Sequence, residues 1–369
     1  MKIGIMTFWW SNDNYGQLLQ CYALQKFLIK KGHDVFTIKY DPIKDSQTPM
    51  CFKLLKVFNI KKVIHVIKMQ INKRKIQKEQ LSHDRGFSYF REKYLCFSEK
   101  TYYNYRDLEL QPPKADIYIV GSDQVWNFTL RDFHTVRNLI HAYMLDFGED
   151  TTKKLSYAAS WGTSRNKKNI INEVSPLLKR FSYVSVREQS GIRLCEECGV
   201  SNVDWTPDPT MLLEAEDYRK LYRIECNKIK DKPFLFLYML NNTCDFDIDN
   251  VYKFAKGKGL NVIYVTGNGV VDNKEKEYAS IPEWLWLIDN AEFIITNSFH
   301  CAVFSTLFNK QYGVIRLTGK FTGMNKRLES LFSRFDIKER YITNNDFSVL
   351  ETFYNPKTIG LPMNFINNL

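Results

Sequence analysis

Residues 281–315, IPEWLWLIDNAEFIITNSFHCAVFSTLFNKQYGVI, constrain the fold more tightly than any other stretch of the chain. Pro282 suits the first turn of a helix, and Trp284, Leu285, Leu287 and Ile288 supply an apolar stripe at helical spacing. Residues 292–296 are a short apolar, β-branched run, the pattern of a strand buried on both faces of a parallel sheet. A second helix over 299–308 follows at once, with Asn297 and Ser298 as capping types able to satisfy its first amides. This order of helix, strand, tight turn, helix and strand belongs to an open α/β sheet. His300 falls where the strand's carboxyl end meets the helix N-terminus. Ligands bind at such junctions, and the free amides and dipole favour an anion. A histidine so placed can serve structure as readily as chemistry.

The rest of the chain carries the same alternation. Residues 3–7 read as a first strand, 16–31 as a helix stopped by Gly32, and 35–40 as a second strand, completing a βαβ unit. The dinucleotide fingerprint GxGxxG is missing at the first turn, which disfavours a nicotinamide oxidoreductase. Asn12, Asn14 and Gly16 stand there instead, suited either to a hydroxyl-rich ligand or to a simple capped loop. Residues 116–120 form a strand that ends in Gly121, Ser122, Asp123 and Gln124. Glycine permits close approach, and Asp123 is either a sugar-hydroxyl partner or an N-cap. Residues 155–160 and 184–186 are further strands, the second ending at Arg187 and Glu188. A guanidinium at a strand end can fork a carboxylate or phosphate, with Glu188 as its brace or its ion-pair partner.

Thr206-Pro207-Asp208-Pro209 ends regular structure and marks a hinge. Residues 234–239 and 261–266 are strands of a second unit, with a helix over 248–258 between them, and 325–335 is a helix behind a loop bearing Lys320. Arg327 lies on that helix. The fold expected is α/β, with two Rossmann-like domains facing a cleft: residues 1–206, residues 207–340, and a tail, 341–369, able to pack back on the first domain.

Length and charge agree with this reading. The 369 residues, 44% hydrophobic, suffice for two cores. An excess of 52 basic over 41 acidic residues gives a formal charge of +11, suited to phosphorylated substrates, nucleic acid or an acidic membrane face without choosing among them. Residues 53–78 carry much of the excess at helical spacing, as a basic helix docked on the first domain or resting on anionic lipid. Cys195 and Cys198 form a CxxC on what reads as an exposed helix end, without a second pair at zinc spacing. No run is long and apolar enough to span a bilayer, and the N-terminus reads as a strand rather than a signal peptide. A cytoplasmic protein is expected, with peripheral contact at the inner membrane face left open.

The segment NAEFIITNSFHCAVFSTLFNKQYGVI resembles the C-terminal signature of polysaccharide pyruvyl transferases. GSDQVWN at 121–127, with YMLDFG and LSYAASWG behind it, and SVRE at 185–188, followed by DPTMLL, are similar to other stretches of that family in the same order. The N-terminal SNDNYGQLLQCYALQKFLIKKGHDV resembles its opening. The resemblance implies the GT-B architecture, with residues 1–206 on the acceptor side and 207–340 on the donor side, and transfer of the pyruvyl group of phosphoenolpyruvate to a sugar as a cyclic ketal. The acceptor sugar would be nucleotide- or lipid-linked, as in precursors of capsule and exopolysaccharide, and no nucleic acid partner is expected. His300 is then the general acid–base group and Asp123 the residue that holds or deprotonates the acceptor hydroxyl. Arg187, Lys320 and Arg327 face the donor's charges, and Ser298, Ser122, Gln124 and Asn14 bind substrate beside them. The route demands no metal or other cofactor. One position departs from the family pattern: Cys301 stands where a glycine commonly follows the histidine. Two other classes stay open, a nucleotide-sugar glycosyltransferase of the same architecture and a non-catalytic carbohydrate- or anion-binding protein.

Overall fold

Short β-branched and aromatic runs build two all-parallel sheets. The first holds β1 (Lys2–Met6), β2 (Asp34–Tyr40), β3 (Phe97–Tyr102), β4 (Ile117–Val120) and β5 (Lys153–Ser156) in the order β3-β2-β1-β4-β5. Ile3 of β1 stands opposite both Val35 and Ile117, so the central strand is apolar on each flank. A short parallel pair, β6 (Val184–Val186) and β7 (Val203–Trp205), continues from β5 through single bridges at Leu155–Tyr183 and Ala159–Val186. The second sheet holds β8 (Phe234–Met239), β9 (Asn261–Thr266), β10 (Phe293–Thr296) and β11 (Tyr312–Val314) in the order β11-β10-β8-β9. The computed structural model describes residues 1–42, 74, 78–79, 81–129, 133–226, 232–240, 246–268 and 270–369, the side chains of 133–135, 320 and 321 excepted. The basic run 53–78 lies, apart from Arg74 and Lys78, outside the described residues.

Four helices frame the site. They are α1 (Tyr15–Lys30), α2 (Ile281–Asn290), α3 (Phe299–Leu307) and α4 (Asn325–Arg334). Asn14 caps α1, its side chain accepting from the Gln17 amide, so the helix begins one residue earlier than its sequence suggests. Ser280 and Glu283 close a capping box on α2, with Pro282 in the first turn. Almost all of α1 is buried rather than one face alone, because it is held between the first sheet and the second domain. Tyr15 stacks on Trp284 with ring centroids 5.0 Å apart and planes 4° from parallel, and its hydroxyl donates to the Ala279 carbonyl at 2.6 Å. One apolar core therefore runs from Ile3 through Tyr15 to Trp284 and Phe304.

Two local expectations differ. Residues 97–102, FSEKTY, form edge strand β3 although their polarity hides it. The strand expected over 155–160 ends at Ser156, because Ala158 takes a left-handed φ of 49° and turns the chain away from the sheet. Near the C-terminus, Phe365 packs on Tyr157 and Tyr183 with ring centroids 4.6 and 5.9 Å away. Among the described residues no helix is long and apolar enough to cross a membrane.

Candidate active site

The carboxyl ends of four strands converge. Gly16 follows β1, Ser122 and Asp123 follow β4, Arg187 follows β6, and His300 follows β10. Ser298 caps α3, its hydroxyl accepting from the Cys301 amide at 3.4 Å, and its own amide donates to Thr296 Oγ1 at 3.0 Å. His300 is thereby fixed in the first turn of α3. It is 4% exposed, because the N-terminus of α1 closes over it. Two helix N-termini, one from each domain, meet at this imidazole.

Arg187 is the hub of the constellation. Its Nη1 donates to Asp208 Oδ2 at 2.8 Å and to Ser122 Oγ at 3.2 Å, and its Nη2 lies 3.7 Å from Asp123 Oδ1. Asp208 Oδ2 also accepts from Ser122 Oγ at 3.1 Å and stands 3.4 Å from His300 Nε2, while Oδ1 accepts from the amide and hydroxyl of Thr210. Burial alone would raise the Asp208 carboxyl. The charges of His300 and Arg187 outweigh it and hold that group far below the usual carboxylate range. Burial likewise works against the Arg187 charge, but Asp208 and Asp123 overcome it and its pKa is raised.

Arg327, on α4, shares the Phe299 ring with Arg187, their guanidinium carbons 5.4 and 4.8 Å from its centroid. It is buried and makes no hydrogen bond or ion pair among the described residues. Burial, and then repulsion from Arg187, push it down to about 10. Arg187 Nε and Nη2 and Arg327 Nε are all buried donors without a hydrogen-bond partner among the described residues. Such groups cost stability unless something accepts from them, and a planar anion bearing two acceptor groups does so. Both guanidinium groups line one cleft with Asp208, Phe299 and Arg334.

Of the residues singled out from sequence, His300, Asp123, Ser122, Arg187 and Arg327 come together. Asp123 is buried with a φ of 72°, a conformation that aspartate tolerates better than most residues. Asn14 and Ser298 contribute as caps of the two helices that meet at His300. Gln124 turns the other way, bonded to Asn127 and lining a separate pocket. Lys320 lies in the 3-10 turn Gly319–Met324, its side chain outside the description. Glu188 does not brace Arg187: its Oε1 accepts from Ser160 Oγ and the Trp161 and Gly162 amides at 2.9, 2.9 and 3.2 Å. Asp208, read from sequence only as part of a hinge, is the acid that joins Arg187 to His300. The signal was present, since Asp208 opens the DPTMLL run that follows SVRE. Cys195 and Cys198 are buried rather than exposed, and burial pushes their thiols up to about 12 and about 11. Among the described residues no group of three His, Cys, Asp or Glu is placed to hold a metal ion.

A family model described as polysaccharide pyruvyl transferase matches residues 14–315. No curated protein sequence matches the chain. Among solved structures, the chain is similar to UDP-GlcNAc 2-epimerase of Methanocaldococcus jannaschii in complex with UDP-GlcNAc and UDP, at 13% identity and a TM-score of 0.50, covering 95% of this chain and 91% of that one. It is also similar to UDP-GlcNAc 2-epimerase from Neisseria meningitidis, at 11% identity and a TM-score of 0.45 over 95% and 89% of the two chains. The glycosyltransferase SsfS6 of Streptomyces sp. SF2575 is similar at 9% identity and a TM-score of 0.36, over 95% and 89%. The first of these likenesses spans both sheets and identifies the architecture as two Rossmann-like domains across a cleft, GT-B-like.

Proposed function

The chain belongs to the polysaccharide pyruvyl transferase family, and on that premise we propose that it moves the pyruvyl group of phosphoenolpyruvate onto a sugar of a polysaccharide precursor as a cyclic ketal. One observation carries the reading. Two buried guanidinium groups with unpartnered donors share a cleft beside the His300–Asp208 pair, where two helix N-termini meet. A donor with both a carboxylate and a phosphate is the anion that such a site suits.

The chemistry follows from the donor. Its terminal enol carbon takes a proton, and the neighbouring carbon gains oxocarbenium character. A sugar hydroxyl adds there and loses its proton. The bond to phosphate then breaks, phosphate departs, and a second hydroxyl closes the ketal. His300 carries protons in and out, oriented by Asp208 as a carboxylate orients an imidazole in other proton-transfer sites. Arg187 and Arg327, with Lys320 and the positive ends of the two helices that Asn14 and Ser298 begin, balance the donor's charges. Asp123, with Ser122 and Gln124 beside it, receives the acceptor hydroxyl. The acceptor is nucleotide- or lipid-linked and met in the cytoplasm. In the lipid-linked case, the basic run 53–78 rests on the anionic membrane face, which salt-sensitive co-sedimentation with anionic vesicles tests.

A thermal-shift panel of phosphoenolpyruvate, UDP, GDP and NAD decides the donor class, because only a ligand of the folded state raises the midpoint. Phosphoenolpyruvate is expected to do so. A midpoint raised by UDP or GDP and not by phosphoenolpyruvate transfers the site to nucleotide-sugar chemistry.

A further inference from the structure

A second pocket, of about 230 Å³, opens on the first domain beside Gln124. Its described walls include Phe8, Trp10, Phe128 and Leu139, with Gln124 and Asn127 as its amide residues and no charged side chain among them. We propose that this pocket seats a neutral sugar ring of the acceptor, its apolar face on Phe8 and Trp10 and a ring or hydroxyl oxygen on the Gln124 amide. The proposal rests on the pyruvyl-transfer reading and deepens it by placing the acceptor.

Four observations lead there. The first is the lining: among its described walls no cation faces a phosphate, whereas the Arg187–Arg327 cleft offers two. The donor and the carrier's phosphates are thus directed elsewhere, and a neutral group is left for this pocket. The second is the exposure of its aromatic wall. Phe8 and Trp10 are only partly buried, with ring centroids 5.1 Å apart and planes tilted by 57°. They form an angled surface that a pyranose can cover with its C–H face.

The third observation is a pair of N–H donors among the lining residues. Asn127 Nδ2 donates to Gln124 Oε1 at 2.8 Å, which fixes the glutamine amide and leaves its Nε2 without a partner among the described residues. Gly162 locks the arrangement. It has a φ of 60°, and a Cβ there would stand 2.4 Å from Gln124 Oε1 and 2.7 Å from Asn127 Nδ2. Glu188 in turn holds the Gly162 amide. Trp9 spends its indole N–H on the Tyr40 carbonyl at 3.2 Å, but Trp10 has no such bond among the described residues. The pocket therefore offers N–H donors to a neutral, oxygen-rich ligand. A prenyl chain would leave both donors desolvated and unpaired, an unfavourable outcome. The fourth is place in the chain: Gln124 directly follows Asp123 in the turn after β4, although the two side chains face different cavities.

The test is a saturation-transfer NMR titration of the full chain with methyl β-galactopyranoside, methyl β-glucopyranoside and methyl β-mannopyranoside, and with geraniol as the apolar probe. It is run on the wild type, Trp10→Ala and Gln124→Leu, with a melt of each and of each with phosphoenolpyruvate. At least one glycoside is expected to bind, about tenfold more weakly in Trp10→Ala and about fivefold more weakly in Gln124→Leu. The midpoint shift given by phosphoenolpyruvate should be the same in all three proteins. Three outcomes overturn the proposal: no glycoside binds the wild type, neither substitution weakens glycoside binding, or geraniol alone binds in a Trp10-dependent way. Should Trp10→Ala melt early, Gln124→Leu decides by itself. Absence of a phosphoenolpyruvate shift in the wild type, with Trp10-dependent glycoside binding intact, removes the donor reading and leaves the sugar subsite standing.

Discussion

The backbone of Gly16 and the imidazole of His300 occupy adjoining space across the domain interface: a Cβ built on Gly16 would lie 2.1 Å from both Cγ and Nδ1 of the ring. No side chain fits between them. Gly16→Ala must therefore push the imidazole off Asp208 or part the two helices. A drop of about 10²-fold or more in turnover is expected, at a stability cost of about 1–3 kcal/mol for overpacking. Phosphate release measured beside a melt checks it. Near-normal turnover in Gly16→Ala means that the ring has room to move without consequence.

His300 itself separates chemistry from packing. His300→Gln keeps a polar group facing Asp208 but cannot shuttle a proton. It should lose about 10²-fold or more in turnover while still binding phosphoenolpyruvate. Because the ring is buried, His300→Ala should also lose stability, by about 1–3 kcal/mol. Turnover close to wild type in His300→Gln would dismiss the acid–base role.

Asp208 faces the Arg187 guanidinium and the His300 imidazole, and its removal leaves the Arg187 charge in a dry environment. Asp208→Asn retains the shape but not the charge, so Arg187 stays buried with its better partner gone. A loss of about 3–5 kcal/mol is expected, the usual range for breaking a buried pair from one side. The companion Arg187→Lys keeps a charge beside Asp208 and should cost less stability, yet raise the donor KM, because an ammonium cannot fork a carboxylate. Chemical denaturation of both variants, with donor kinetics for the second, is the measurement. If Asp208→Asn is as stable as wild type, the constellation is not held together by this charge.

Much of the architecture was legible because it rests on local patterns. The buried run FIIT between helical stripes can hardly be anything but a central parallel strand, and Ser298 and Asn14 are caps of the helices that their types announce. Arg187, Asp123 and His300 could be picked out by their places at strand ends. What sequence hid was pairing at a distance. Asp208 sits between prolines, so its local signal is that of a turn. Its bonds to residues 86 positions back and 21 positions back exist only once the sheet has assembled. Glu188 was misread for the same reason: adjacency to Arg187 suggested a pair, but adjacent side chains diverge, and Glu188 reaches the Ser160–Gly162 turn instead. The burial of most of α1 and of His300 likewise needed the second domain, which no periodicity in the first can announce.

Away from the cleft, His141 predicts how stability depends on pH. Its Nδ1 lies 2.7 Å from Asp146 Oδ2 and its Nε2 2.9 Å from Glu173 Oε1. Arg180 pairs with the same Asp146, Arg137 with the same Glu173, and the Tyr105 hydroxyl bonds Asp146. The Asp146 bond, followed by that to Glu173, raises His141 above 6.5 despite the opposing effect of burial, and Asp146 is lowered to about 2, chiefly by His141. A raised histidine stabilises fully below its ordinary 6.5, and the contribution fades as pH climbs through its folded value. A lowered carboxyl stabilises fully above its ordinary 3.8, and the contribution fades as pH falls toward 2. This cluster therefore contributes most between those two ordinary values. His141→Gln should flatten the decline in melting temperature above neutrality and leave turnover unchanged. An identical pH profile in the variant removes His141 as its source.

Arg327 sets stability against function most sharply. It is buried and lacks an ion-pair partner among the described residues, and burial with Arg187 repulsion pushes it down to about 10. A cation whose folded pKa is lowered opposes folding wherever it stays charged. That penalty is constant across neutral pH and is relieved only as pH rises past about 10. The Phe299 ring returns about 0.5–1 kcal/mol of cation–π attraction, less than a buried charge ordinarily demands. Arg327→Met keeps the side-chain length and removes the charge, so the free protein should be as stable as wild type or more so, by up to about 2 kcal/mol. With phosphoenolpyruvate the order should reverse. Wild type gains a fork on a carboxylate or phosphate, the variant gains none, and donor affinity should fall about 10- to 100-fold. Melts of both proteins with and without phosphoenolpyruvate read the two effects separately. A variant that is less stable alone and shifts as far as wild type with the donor makes Arg327 a packing residue and nothing more.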